Sequence, residues 1–308
     1  MKKDLLSIRD LTPEQIDSIF KLSGLLKKNK KKFSKVLSGK TLVLIFQKPS
    51  NRTRVSFEVG MYQLGGNSLY LSPSEINIGV RESIKDVART ISRYVDGIVL
   101  RTFEHKNCLD MAAAATVPVI NGLSDFSHPC QGLADIFTIK EKLKNLKNIT
   151  LAYVGDGNNV CNSLLFAASK CGMNITIGAP KGYFPSEQVV KYSQEIAQET
   201  GSKIKITENP YEAVKGAQVV YTDVWASMGQ EDEIAKRKII FKDFQINAKL
   251  LSFAAADVLV MHCLPAHRGE EITDEVMDSK NSIVFDQAEN RMHVQKAILI
   301  KLLKGAKS

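Results

Sequence analysis

The chain is poor in the residues that build covalent or metal scaffolds. Its five cysteines, at positions 108, 130, 161, 171 and 263, are an odd number and never fall in a CxxC spacing. That excludes a disulfide framework and a zinc ribbon, and it makes a reduced, cytoplasmic protein the expectation. No apolar run approaches the roughly 18 residues needed to span a bilayer, so no membrane partner is expected. The N-terminus is basic, but Ser7-Ile8-Arg9-Asp10 interrupts the apolar core that a signal peptide would need. A glycine-rich nucleotide loop of the GxxxxGKS or GxxxxGKT type is missing, as are solenoid-length repeats.

What remains is ordinary globular material. The 308 residues, 44% hydrophobic and 24% charged, are enough for about two domains. A net charge of +9, from 42 Lys+Arg against 33 Asp+Glu, raises the question of nucleic acid. Much of the excess is one cluster, Lys27-Lys28-Asn29-Lys30-Lys31-Lys32, placed where an amphipathic helix ends. Cations are favoured at a helix C-terminus by its dipole, so the cluster reads as a solvated helix end, and no nucleic-acid partner is expected.

Periodicity gives the architecture. Thr12-Pro13-Glu14-Gln15 has the form of a capping box with proline at the first helical position, so the first helix starts there. Thr41–Phe46 is a continuous apolar run, as expected of a strand buried on both faces. Similar runs at 67–71, 97–100 and 117–120 are separated by helix-period segments such as Ile84, Val87, Ala88 and Ile91. A second alternation has strands at 149–154, 174–178, 203–206, 219–222 and 258–262, with helices starting near Asn159, Ser186 and Pro210. The expected fold is α/β: two domains, each a mainly parallel sheet flanked by helices. The polar break Lys144-Asn145-Leu146-Lys147-Asn148 divides them, giving a first domain of 1–144, a second of 149–286, and a C-terminal helix, 287–308, that returns to the first.

The first strand runs into Lys48-Pro49-Ser50-Asn51-Arg52-Thr53-Arg54, where Ser50 is a good N-cap. A strand-to-helix turn at the carboxyl edge of a parallel sheet presents free N–H groups, and two arginines add charge-assisted donors suited to phosphate. In the second domain Gly155-Asp156-Gly157-Asn158-Asn159 opens like a dinucleotide turn. Val160 stands where the third glycine belongs, however, and no acid ends the next strand, so NAD is not expected.

Five segments in order resemble the aspartate and ornithine carbamoyltransferase family: Ser50-Asn51-Arg52-Thr53-Arg54, Leu100-Arg101-Thr102, His128-Pro129-Cys130-Gln131, Asp223–Gly229, and His262-Cys263-Leu264-Pro265. The last two resemble the ornithine branch. The resemblance implies transfer of a carbamoyl group from carbamoyl phosphate to L-ornithine, with no cofactor and no metal. It assigns Ser50, Asn51, Arg52, Thr53 and Arg291 to the phosphate. Arg101, His128 and Gln131 go to the carbamoyl group, where donors to the carbonyl oxygen would stabilise an oxyanion. Asn159, Asp223, Ser227 and Met228 go to the amino-acid end of ornithine. Cys263, with the Leu264 carbonyl, goes beside the δ-amine and against the bound carbamoyl phosphate. The family places a glutamine on a neighbour's phosphate; here Asn77, before Ile78-Gly79, holds that position with a shorter amide. The same loop implies a homotrimer with shared sites. His105, His267 and His293 are read as ordinary histidines.

Overall fold

A computed structural model describes residues 3–76, 78, 82–227, 229 and 231–304. Two compact units emerge, Met1–Phe137 with Glu289–Ser308 and Thr138–Ala288. The division falls inside two helices rather than at the polar break 144–148.

In the first unit, α1 (Pro13–Lys28) starts with the full capping box, Thr12 and Gln15 each bonding the other's backbone. It ends at Lys27 and Lys28, and Lys27 donates to Asn290 Oδ1 at 2.9 Å. Then follow β1 (Thr41–Phe46), α2 (Asn51–Gln63), β2 (Asn67–Leu71), α3 (Pro73–Ile76), α4 (Ile84–Ile91), β3 (Gly97–Arg101), α5 (His105–Ala114), β4 (Val119–Leu123) and α6 (Pro129–Leu143). The sheet is parallel throughout, in the order β2-β1-β3-β4. β1 and β3, in the middle, are the most deeply buried, in keeping with their unbroken apolar sequences. β4 starts two residues later than its apolar run suggests and continues to Leu123. Pro118 has no N–H to give to a ladder, so regular pairing begins after it.

The second unit contains β5 (Thr150–Val154), α7 (Asn159–Lys170), β6 (Asn174–Gly178), α8 (Glu187–Thr200), β7 (Ile204–Thr207), α9 (Pro210–Val214), β8 (Val219–Thr222), α10 (Ile234–Ile240), α11 (Ala248–Leu251), β9 (Leu259–His262) and α12 (Asp274–Met277). Its five strands are also all parallel, ordered β7-β6-β5-β8-β9. A core around Val154, Val220, Trp225, Phe241 and Val260 fills one face. The last helix, α13 (Val284–Leu303), starts three residues before the expected boundary at 287. From Glu289 onward it is part of the first unit.

Both sheets therefore carry a topological switch point, where the strand order turns outward in two directions. In the first unit it lies between β1 and β3, in the second between β5 and β8. Open parallel sheets bind ligands at the carboxyl ends of such strand pairs. No helix among the described residues is long and apolar enough to cross a membrane.

Candidate active site

At the β1/β3 switch point the chain assembles cations. β1 ends at Phe46, and Ser50 caps α2 by accepting from the Thr53 N–H at 3.3 Å. The first turn of α2 contains no acid, so its dipole is left positive for an anion. Arg52 is half-buried on this turn. Arg54 is engaged elsewhere, with Nε on Glu58 at 3.1 Å and its guanidinium 3.9 Å from the centre of the Tyr70 ring.

β3 brings in Arg101 through a bulge. Leu100 pairs with Asn121 but Arg101 pairs with Leu123, so Gly122 is passed over. Bulges beside active sites re-aim side chains, and this one comes immediately before Arg101. A Cβ on Gly122 would lie 3.1 Å from Val99 Cγ1 and 3.3 Å from the Leu100 carbonyl, so the residue is kept small by the bulge itself. Arg101 is 4% exposed, and its Nε has no hydrogen-bond partner among the described residues. Burial, with the charges of Arg291 and Arg52, lowers its pKa to about 9. Arg291, on α13, donates to Thr53 Oγ1 at 2.8 Å. His128 precedes α6 and is buried. Burial, then the charges of Arg291, Arg101 and Lys48, hold its pKa well below the ordinary histidine range, so the ring is neutral at neutral pH.

Gln131 adds an oriented acceptor. Its Nε2 donates to Asp135 Oδ1 at 2.8 Å, and its Oε1 is buried with no hydrogen-bond partner among the described residues. The amide is thus turned with its oxygen available for an N–H donor. Asp135, which decides that orientation, was not singled out in the sequence. The available signal was the i,i+4 spacing of glutamine and aspartate on one helix.

The β5/β8 switch point has a different chemistry. Gly155 has φ +148°, and a Cβ on Gly157 would lie 2.3 Å from Pro185 N. The second glycine of the turn therefore accommodates the chain's own 184–185 segment, where a dinucleotide turn would need that space for pyrophosphate. α7 starts at Asn159, as expected, with Asn158 as its N-cap. Asp223 follows β8 and is 6% exposed. Its Oδ1 accepts from the Val224 N–H at 2.8 Å and from Cys263 Sγ at 2.9 Å, and its Oδ2 accepts from Asn158 Nδ2 at 2.8 Å. Asn159 and Ser227 are half-buried. Met228 and Asn77 lie outside the described residues.

Cys263 follows β9, and the next turn is tightly specified. Leu264 has φ +59°, uncommon for a branched residue, and its N–H donates to His262 Nδ1 at 2.9 Å. His262 Nε2 faces Glu271 Oε1 at 3.0 Å, with both side chains fully buried. Glu271 is a further residue that sequence reasoning missed, and no local spacing marks it. Asp223, His262 and Cys263 have donor atoms within 4.8 Å of one another, a composition that suits a metal ion. Both ring nitrogens of His262 are already taken, by Leu264 and Glu271, and the thiol is engaged with Asp223, so hydrogen bonds account for the cluster.

Parallel sheets with a cationic switch point in one unit and a carboxylate–thiol switch point in the other define the class. The family model of the aspartate/ornithine carbamoyltransferase carbamoyl-P binding domain matches residues 3–141, and that of the Asp/Orn binding domain matches residues 147–302. The chain belongs to the aspartate/ornithine carbamoyltransferase family. Within it, the ornithine carbamoyltransferase of Thermococcus kodakarensis is 52% identical over 307 residues, 99% of this chain and 98% of that protein. The anabolic ornithine carbamoyltransferase of Pyrococcus furiosus is 52% identical, again over 99% of this chain and 98% of its own. The solved ornithine carbamoyltransferase from Pyrococcus furiosus superposes with a TM-score of 0.96 at 52% identity, covering 99% of this chain and 98% of that one. The anabolic enzyme from Campylobacter jejuni gives 0.92 at 39% identity, over 97% and 98%.

Proposed function

We propose that the chain transfers the carbamoyl group of carbamoyl phosphate to the δ-amine of L-ornithine, releasing L-citrulline and phosphate, in the biosynthetic direction named for two of its relatives. The observation that carries this reading is the pairing of a cation cluster, Arg52, Arg101 and Arg291, with the unpartnered Oε1 of Gln131. A dianion with an attached carboxamide satisfies both at once.

In this reading Ser50, Asn51, Arg52, Thr53 and Arg291 hold the phosphate with the N-terminus of α2. Arg101 and His128 donate to the carbonyl oxygen, and Gln131 accepts from the carbamoyl NH2. Neutral His128 suits that role, since one ring nitrogen carries a hydrogen to give while adding no further cation to the cluster. The neutral δ-amine attacks the carbonyl carbon. A tetrahedral oxyanion forms under the donors, the C–O bond to phosphate breaks, and phosphate leaves with the bonding electrons and takes up the proton that the amine gives up. Pre-set donors on the developing charge and a held reactant are the main sources of rate. Asp223, with Asn159, Ser227 and Met228, reads the amino-acid end of ornithine. Cys263 and the Leu264 carbonyl lie beside the amine.

We also infer a homotrimer in the cytoplasm. Val55, Val59 and Tyr62 form an exposed stripe on α2 at helical spacing, and exposed Leu69 lies on the edge strand β2. A second copy of this chain is the occupant that also lets Asn77 serve a neighbour's phosphate. Mixing an Asn77→Ala variant with an Arg52→Ala variant should restore activity after subunit exchange. Exchange without recovery would refute the shared site. The activity itself is tested by kcat/KM for citrulline formation with ornithine and for carbamoylation of lysine and putrescine. Ornithine should lead by orders of magnitude. Putrescine, which lacks the carboxylate, matching it would refute the substrate assignment.

A further inference from the structure

We propose that Asn158 is the positioning residue for Asp223, so that one amide sets both the start of α7 and the carboxylate that meets the amino-acid substrate. The inference rests on the reading of Asp223 as an ornithine contact.

The orientation of the Asn158 amide is decided by its surroundings. Its Oδ1 accepts from the Val160 N–H at 2.9 Å and the Cys161 N–H at 3.1 Å, the two capping bonds of α7. The hydroxyl of Tyr153 also approaches that oxygen, at 3.4 Å, while bonding the Asp156 carbonyl at 2.8 Å. Donors on that side leave no choice of flip, so Nδ2 must be the atom that faces Asp223 Oδ2 at 2.8 Å. An ordinary N-cap needs only an acceptor, and serine, threonine or aspartate serves as well. The donor half of Asn158 is therefore surplus to capping, and among the described residues it serves Asp223 alone.

The consequence is geometric. Asn158 ends the turn after β5 and Asp223 directly follows β8, the two strands of the switch point. Their hydrogen bond joins the two strand ends beyond the last ladder pair, Tyr153 with Tyr221. With Oδ2 held by Asn158 and Oδ1 by Val224 N and Cys263 Sγ, the carboxylate plane is set before any amine arrives. The same amide fixes the first turn of α7, so Asn159 and Asp223 keep a constant spacing. A substrate recognised at both points gains from that rigidity.

The test separates capping from positioning with two good caps. Asn158→Ser caps α7 but cannot reach Asp223. Asn158→Asp caps α7 and sets a second carboxylate against the first. Melting temperature and the KM for each substrate are measured for both variants and the wild type. The expected result is near-wild-type melting for the serine variant, an ornithine KM raised at least tenfold, and a carbamoyl phosphate KM within about twofold. The aspartate variant should have the higher ornithine KM of the two. Ornithine KM within twofold of wild type in the serine variant would overturn the proposal. So would equal rises in both KM values with a lowered melting temperature, since a purely structural role predicts that pattern. A wild type that makes no citrulline would overturn the reading of the site and this inference with it.

Discussion

The two switch points hold their side chains in opposite ways. In the first unit like charges converge: Arg52, Arg101 and Arg291 repel one another, Arg101 Nε has no partner, and burial with neighbouring cations drives down the pKa of Arg101 and His128. In the second unit both oxygens of Asp223 accept hydrogen bonds, from Cys263, the Val224 N–H and Asn158. Buried charge that lacks a counter-charge destabilises a fold, whereas a bonded polar network costs little. The cationic cradle is thus incomplete without its anion, while the carboxylate site is complete by itself and only needs to be addressed.

The comparison breaks most severely at Asp223. Asp223→Ala leaves Cys263 Sγ, the Val224 N–H and Asn158 Nδ2 without their acceptor and removes the charge facing the amine. Losing charge-assisted bonds worth about 3 kcal/mol corresponds to roughly a hundredfold drop in kcat/KM for ornithine. Carbamoyl phosphate binding, measured separately by its KM, should be unchanged. A comparable loss for both substrates would show that the units are not chemically separate.

Arg52→Ala is the converse. Removing one contact to a dianion costs about 1.5–3 kcal/mol, so the apparent constant for carbamoyl phosphate rises at least tenfold with the fold intact. A purified variant with wild-type affinity would remove this turn from the phosphate site. Cys263→Ser is milder. A hydroxyl can still donate to Asp223, so the carboxylate stays in place, and the loss should fall on kcat, up to about tenfold. Measured from pH 6.5 to 9.5, wild-type activity should rise on the alkaline side, because only the unprotonated amine attacks. A fully active serine variant would return Cys263 to a structural role.

The smallest effect is on stability against pH. The pKa of His128 is lowered in the folded protein, so the unfolded state binds the proton more readily below the ordinary value of 6.5. Stability is therefore lost as pH falls through that value, by up to about 1.4 kcal/mol per pH unit for this one group. Denaturant titrations from pH 7.5 to 5 should show a shallower decline for His128→Gln than for wild type. Parallel curves would mean that His128 is already able to take up a proton in the folded state.

Much of this was legible in the sequence, and the reasons differ by element. Buried parallel strands have continuous apolar runs, so β1, β6 and β8 could be bounded to the residue, and the half-exposed edge strand β2 was bounded as well by its shorter apolar segment. The capping signals of α1, α2 and α8 are local chemistry and survived folding unchanged. β4 and α13 were displaced because Pro118 and the 284–287 turn act through pairing and packing, which apolar spacing does not encode. The cation turn after β1 could be read from composition. Asn158 and Glu271 could not, because each orients a side chain on another element, whereas Asp135 was marked only by its i,i+4 spacing from Gln131 on one helix. Gln131, Asp223 and His262, the residues they orient, were the ones with recognisable chemistry.

Arg101 leaves the first unit with buried positive charge that a bound anion would balance. Thermal melting of the wild type and Arg101→Met, each with and without saturating inorganic phosphate, tests it directly. Replacing a buried unpaired charge by an apolar side chain is expected to raise the melting temperature of the phosphate-free protein. Phosphate at a hundred times its dissociation constant should stabilise the wild type by about 2.7 kcal/mol, and the variant should lose part of that gain, since the cluster has one cation fewer while Arg52 and Arg291 remain on the phosphate. A variant that melts lower than wild type without phosphate, yet gains as much from adding it, would contradict the account.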